Sequence, residues 1–590
     1  MARKLPEVDV VLVGFGWTGA ILAKELTEAG MKVVALERGA MRRPEDDFQV
    51  PRIRDELRFG TRTDLMMNTT VDTLTIRNTP DQEALPMRRL GSFLPGEGVG
   101  GAGSHWNGIN WRWGDMELQI RSKYIEKYGA AYVPEDMNLQ DWGITYAELE
   151  PFYEKFEKTA GISGKAGNLR GQRIPGGNIF EDPRANEYPL PPLEDPLSGM
   201  LFAKAAGEMG YHPHPRPAAN ASQAYTNPDG ARLGACQYCG FCERFGCEAN
   251  AKGTPDVTVI PVVMRNPNFS LRTHAWVTKV NKDSDGKKVT GVNYTNLLNG
   301  EELEQPAGIV VLSAYGLNNV ALLLWSDIGT PYNPATGQGL VGKNYCYQTG
   351  TGATLFFPDK AFNPFIATGS WGQNIDDFNT NWDFDRRPHN YIGGTTIAAG
   401  GTNGRPIEYR PLPAGTPRWG TAWKRAAKAG YQGAMGIGAS GSVMPNRANF
   451  LDLDPTWRNA FGQPLMRMTF EYKPNEIRLT EHIAGVINRI AGTMGAAQVT
   501  PAGPRRSWSV VPYQSTHNTG GAIMGANPRE SVVNKYLQSW DLHNLFVMGA
   551  SAFPHNSAYN PTGPVGAMAY WTAEAIKTRY MRAPGPMVPT

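Results

Sequence analysis

Residues 8–38 read VDVVLVGFGWTGAILAKELTEAGMKVVALER. The apolar, β-branched run Val8–Val13 has the composition of a strand buried on both faces. It leads into Gly14-Phe15-Gly16-Trp17-Thr18-Gly19, then a helical pattern from Ala20 to Ala29 closed by Gly30, then a second strand, Lys32–Leu36. Glu37 ends that strand, eighteen residues after Gly19. A lone G-x-G-x-x-G is weak, but strand, glycine turn, helix, strand and acid in this order predict a dinucleotide site. Gly14 allows the tight turn, Gly16 lets a pyrophosphate approach the backbone, and Gly19 lets helix and strand pack closely. The unpaired N–H groups and dipole at the helix start favour the anion, and Glu37 is expected to accept from a ribose hydroxyl.

The chain has 590 residues, too many for one simple core, so two or more domains are expected. With 41% hydrophobic and 19% charged residues it has the composition of a globular protein. Its 67 glycines and 45 prolines predict many turns. A formal charge of +3 implies neither a nucleic acid nor a membrane-surface partner. No apolar run approaches the length that spans a bilayer, and the first strand begins within eight residues, which leaves no room for a signal peptide. That places the chain in the cytoplasm unless it is exported on a partner's signal.

Further on, residues 94–108 read LPGEGVGGAGSHWNG. Five glycines between Gly96 and Gly103 exclude regular helix or strand and predict backbone lying flat against a ligand. His105, Trp106, Asn107 and Gly108 at its end set it apart from a flexible surface loop. Residues 115–220 hold an amphipathic stretch, Thr145–Lys158, then a Pro/Gly-rich excursion.

Four of the five cysteines, Cys236, Cys239, Cys242 and Cys247, fall within twelve residues, spaced C-x2-C-x2-C-x4-C. A zinc ribbon separates its two knuckles by a dozen or more residues. A compact single run with interleaved glycines is closer to ferredoxin spacing, and soft thiolates suit iron and sulfide. An iron–sulfur cluster is favoured over zinc, with disulfides or free thiols as the remaining readings. Cys346 is isolated and reads as a small buried residue.

Strands are expected at Val257–Val263, Phe269–Val280 and Lys288–Asn293, with a turn at residues 282–286. A buried strand at Ile309–Leu312 is followed by a helix, Asn318–Ser326. Residues 345–500 read as an antiparallel sheet with helices on one side, including a long helix, Asn475–Met494, with apolar spacing. Asp452 and Asp454 read as solvated caps in a turn. The buried strand at 544–548 runs into Gly549 and Ala550. Asn560 to Gly566 precede a last helix, Ala567–Lys577, whose prolines suit a helix start.

The GFGWTG turn with a following ERG, and the GVGGAGSHW loop, resemble the glucose–methanol–choline family of FAD oxidoreductases, over nearly the whole chain. The cysteine run resembles, within that family, the large flavin-carrying subunits of membrane-associated sugar and sugar-acid dehydrogenases, those acting on gluconate most of all. The resemblance implies a Rossmann-like FAD-binding domain from residues 1–115, 220–345 and 526–590, carrying an iron–sulfur loop at 232–250. Residues 116–219 and 346–525 would form a substrate domain on an antiparallel sheet flanked by helices. FAD would contact Gly14, Gly16, Gly19, Glu37, Arg38, Gly100, Gly101, His105, Trp106, Asn107, Gly108, Val277, Ala314, Gly549, Ala550, Asn560 and Thr562. His105 is either a covalent attachment point for the flavin 8α-methyl or an imidazole packed beside the ring. His517 and Asn560 match the family's catalytic pair, with His517 as base. The resemblance favours a three-iron cluster, which needs three thiolates, so which of the four is spare stays open.

The function this implies is oxidation of a secondary alcohol of a sugar acid, gluconate to 2-ketogluconate, with 2-ketogluconate, glucose, sorbitol or fructose as alternative substrates. The partners implied are a multihaem cytochrome c subunit, then quinone, and a small chaperone-like subunit bearing the export signal. Membrane contact would be indirect, at the periplasmic face of the inner membrane. Two competing readings are an oxidase handing electrons to oxygen and a non-catalytic electron-transfer or zinc-stabilised binding module.

Overall fold

A computed structural model describes residues 2–49, 60, 62–401 and 409–589. Val8–Val13 forms the expected strand at the centre of an eight-stranded sheet. From Val10 to Val13 it is buried on both faces, and it pairs in parallel with Val33–Leu36 on one side and with Glu302–Leu312 on the other. Phe269–Arg272 and Leu545–Val547 extend the parallel part. Val289–Asn296 and Ala275–Lys282 continue antiparallel from the first half of Glu302–Leu312. The C-terminal ends of four parallel strands thus arrive together at Gly14, Glu37, Ser313 and Met548, where an open α/β sheet binds ligands.

A six-stranded antiparallel sheet includes the paired strands Thr349–Phe356 and Ala434–Gly441 and ends on Gln498–Thr500 and His214–Pro215. Helices Leu197–Glu208 and Pro474–Thr493 pack against it. The second buries Leu479, Ile483, Val486, Ile487 and Ile490, the apolar stripe that its sequence spacing predicts. The mixed α/β sheet and the helix-flanked antiparallel sheet together match the expected fold class. A third sheet pairs Leu74–Arg77 with Pro464–Thr469, so segments assigned to the two expected domains share hydrogen bonds.

Several local expectations change. The first helix starts at Trp17, directly on Gly16, and its first turn is buried. Residues 102–105 of the glycine loop form one helical turn after positive-φ glycines at 98, 100 and 101. The predicted strand Val257–Val263 is two helical turns, Pro255–Thr258 and Ile260–Val263. Pro255 and Pro261 sit in their first turns, where a missing N–H costs little, and the Thr258 hydroxyl donates back to Thr254 O. The run Phe269–Val280 breaks at His274, whose φ is +55°. Asp452 and Asp454 lie in the strand Phe450–Arg458, not in a turn. Asp452 pairs with Arg467, and Asp454 is buried, accepting from Thr75 and from the N–H groups of Thr456 and Trp457. The last helix begins at Thr562, five residues before the expected start. No helix among the described residues is long and apolar enough to cross a membrane.

Candidate functional site

One large cavity lies where the parallel strands end. Gly14, Gly16, Glu37, Arg38, Gly101, His105, Trp106, Asn107, Val277, Ala314, Gly549, Ala550, His517, Asn560 and Thr562 line it. Gly19, Gly100 and Gly108 stand outside its lining. Their role is close packing: a Cβ on Gly19 would lie 2.3 Å from Gly14 O, and one on Gly100 would lie 2.5 Å from Asp256 Oδ1. A Cβ on Gly108 would meet Asn220 Oδ1 at 2.6 Å.

The cavity walls suit a dinucleotide. At Gly16 a Cβ would have nothing nearer than 3.6 Å, and at Gly549 nothing within 4 Å, so backbone is bare toward the cavity at both places. Glu37 is buried, and its oxygens accept from Phe15 N at 2.9 Å, Gly39 N at 2.9 Å and Gly98 N at 3.3 Å. The acid expected to meet a ribose hydroxyl therefore also pins the glycine turn to the 94–101 loop. Arg38 pairs with Asp72 and Glu97 and stacks over Trp276. His105 is 4% exposed and its Nε2 has no partner among the described residues. Burial, then the charges of Lys252 and Arg244, push its pKa down to about 3, so it is a neutral imidazole. An orphaned buried nitrogen, bare glycine backbone and a helix start at Thr562 all fit the FAD that the fold implies.

At the other end of the cavity, Asn560 Nδ2 lies 3.1 Å from His517 Nε2. His517 Nδ1 lies 2.7 Å from Gln348 Oε1, and the Asn556 amide donates to His517 O. Burial alone pushes the His517 pKa down to about 4. Gln348 gave no signal in the sequence, because a glutamine before a strand is unremarkable until its long-range partner is known.

The cysteine loop abuts the cavity. Arg244 N donates to His105 O at 2.8 Å, and Glu243 and Arg244 line the wall. Lys252, fully buried, donates from Nζ to the carbonyls of Trp106, Cys242 and Phe245, which ties the glycine loop to the cysteine loop. Cys236, Cys239 and Cys247 each have thiols pushed up by burial and by the charge of Cys242, Cys236 to about 12 and Cys239 to about 11. A metal centre would need these thiols as thiolates, the form that burial disfavours here. Among the described residues no group of three or more His, Cys, Asp or Glu is drawn around a single metal ion. Cys346 is fully buried and far up in pKa, as a small core residue.

Known proteins agree with this architecture. Two family models, both described as GMC oxidoreductase, match residues 202–349 and 445–569 respectively. The gluconate 2-dehydrogenase flavoprotein of Pantoea cypripedii is 45% identical over 100% of this chain and 96% of its own. The fructose dehydrogenase large subunit of Gluconobacter japonicus is 23% identical over 98% of this chain and 99% of its own. The crystal structure of pyridoxine 4-oxidase from Mesorbium loti superposes with a TM-score of 0.55 at 15% identity, covering 96% of this chain and 98% of that one, a likeness of fold. With full-length identity at that level on a matching fold and cavity, the chain belongs to the GMC oxidoreductase family.

Proposed function

We propose that this enzyme is an FAD-dependent dehydrogenase that oxidises a secondary alcohol of a sugar acid, gluconate to 2-ketogluconate. The observation that carries it is the pair His517–Asn560 on a cavity shaped for a dinucleotide, in a chain 45% identical to a gluconate 2-dehydrogenase flavoprotein. FAD, when bound, supplies a two-electron acceptor for the hydride of the carbinol carbon. His517 Nε2 takes the hydroxyl proton, and the Asn560 amide holds the same oxygen. The start of the helix Thr562–Ala575 presents unpaired N–H groups to negative charge in the cavity. His105 is the attachment point for the flavin, its Nε2 free to bond carbon.

A sugar acid needs a cation, and Arg216, which stands outside the lining of the cavity, is a candidate on the strength of a side chain unpaired among the described residues. It follows the strand His214–Pro215, its backbone N donating to Gly372 O, and its side chain has no hydrogen bond or ion pair among the described residues. Burial depresses its pKa to about 10, opposed by the charge of Asp376. A desolvated guanidinium is stabilised by a carboxylate ligand.

Residues 1–115, 220–345 and 526–590 act as the FAD-binding domain and the rest as the substrate domain. Cys236, Cys239, Cys242 and Cys247 hold an iron–sulfur cluster, three-iron by preference, that hands electrons singly to a cytochrome c subunit. The name of the fructose dehydrogenase relative, a large subunit, supports a multisubunit assembly. A small subunit with an export signal would place it at the periplasmic face of the inner membrane. Anaerobic mixing with aldonates and polyols tests the substrate: gluconate should bleach the flavin absorbance fastest, and a chain bleached only by neutral polyols would refute the sugar-acid reading.

A further inference from the structure

The residue behind the base carries an inference of its own. The segment before strand Thr349–Phe356 runs antiparallel to the segment that bears His517, with Cys346 and Thr519 exchanging both backbone hydrogen bonds. That pairing sets Gln348 beside Ser515 and His517. Gln348 is buried, and its amide has four neighbours. Two of them, Ser557 O at 3.3 Å and Ala558 O at 3.1 Å, are carbonyls, which only accept. The NH2 group must face them, so the amide cannot flip without setting its own oxygen against two carbonyls. Oε1 therefore faces the Ser515 hydroxyl at 3.0 Å and His517 Nδ1 at 2.7 Å. An oxygen that only accepts requires a proton on Nδ1. The neutral imidazole has one proton, so the lone pair lies on Nε2, the nitrogen beside Asn560.

We propose that Gln348 is the positioning residue of this site, fixing His517 as the Nδ1–H tautomer with Nε2 free to act as base. The proposal rests on the reading of His517 as the base. Because an amide is neutral, it orients the ring while stabilising imidazolium far less than the aspartate of a Ser-His-Asp triad does. Other titratable groups face the ring's surroundings. Tyr315 and Tyr513 approach from the cavity side, and Tyr347, Tyr472 and Cys346 from behind, all held neutral by burial. The Glu243–Arg244 pair and His105 also line the cavity, as do Glu37, Arg38, Asp72 and Glu97. The neutral amide therefore leaves the acid limb of the rate profile low.

Two variants and one direct measurement test this. Gln348→Met removes both functions of the amide at similar length. We expect kcat to fall roughly 10–100-fold with KM little changed, the scale at which outer hydrogen-bond partners of a histidine act. Gln348→Glu puts a carboxylate against Nδ1 and should move the acid limb of kcat/KM up by about 1–3 pH units. Flavin absorbance and melting temperature establish that each variant is folded. The direct measurement needs no Gln348 variant. In 15N-histidine-labelled enzyme, the resonances lost in His517→Asn should be a protonated Nδ1 and an unprotonated Nε2. The opposite tautomer, wild-type kcat in Gln348→Met, or an unmoved acid limb in Gln348→Glu each overturns the proposal. His517→Ala separates the two claims. Full turnover there overturns the base reading and the proposal with it, whereas lost turnover beside unmoved Gln348 variants overturns the proposal alone.

Discussion

In the proposed reaction a single imidazole acts as the base, and its environment dictates when it works. Burial holds His517 near pKa 4, against 6.5 for the free side chain. A base must be unprotonated, so activity is present above the folded pKa and lost as pH falls through it. The acid limb of kcat/KM is expected near pH 4, and a limb near 6.5 in a pH–rate series would show that the ring is solvated. His517→Ala should retain flavin and lose roughly 10²–10⁴ in kcat, the usual worth of a positioned base. Arg216 gives a second test at this scale. Arg216→Gln should raise KM for an aldonate at least tenfold, about 1.4 kcal/mol or more of lost binding, and leave KM for a neutral polyol unchanged. Equal effects on both substrates, in a steady-state comparison, would remove Arg216 from the carboxylate's site. His517 and Asn560 were singled out in the sequence through their family pattern, and the structure places them 3.1 Å apart. Gln348 and Lys252 were not, because each owes its place to a partner more than a hundred residues away, and Arg216 was one arginine among many until its burial was known.

The element that positions the cofactor is the glycine turn with its helix, Trp17–Glu28. Two of its glycines look alike in the sequence and differ in space. A methyl on Gly19 would press on Gly14 O at 2.3 Å, backbone against backbone. Gly19→Ala should therefore destabilise the fold by about 1–3 kcal/mol, the usual cost of overpacking, seen as a lower urea midpoint even without flavin. A methyl on Gly16 meets only ordinary contacts at 3.6 Å and beyond, so Gly16→Ala should leave the apoprotein's urea midpoint unchanged while flavin content falls. Equal midpoints for the two variants would contradict this assignment of roles. The turn could be read from sequence because its glycines, strands and acid are local. The misread segment Val257–Val263 shows the limit: an apolar run has the same composition as strand or helix, and here the prolines at 255 and 261 decided for helix.

Across the whole molecule, distant segments meet at buried charges and at the cysteine loop. Glu25 on the first helix accepts from Lys155 and Lys577, which joins residues 130 and 552 apart in sequence. Those lysines hold its pKa at about 2 despite burial. With a folded value below the ordinary 4.5, its stabilisation is complete above pH 4.5 and is lost as pH falls toward 2. Glu25→Gln should cost about 2 kcal/mol at pH 7, after discounting for the half-exposed Lys155, and flatten that acid loss in melting curves taken from pH 5 to pH 2. The cysteine loop meets the cavity through Arg244 and Lys252 and reaches the surface at Cys239, which is exposed. If these thiols hold the proposed cluster, a loop that joins the interior to solvent in this way suits electron delivery to a partner. Purified holoenzyme should contain iron and acid-labile sulfide. Cys242→Ser, which removes the buried thiol that the other three feel, should lose iron while gluconate still bleaches the flavin under anaerobic conditions. Reduction of a soluble cytochrome c should then fall to background, because the substrate half of the site is intact and the exit is not. Iron-free wild-type enzyme that reduces cytochrome c at full rate would remove the cluster from the pathway and leave the flavin edge at His105 as the point of exit.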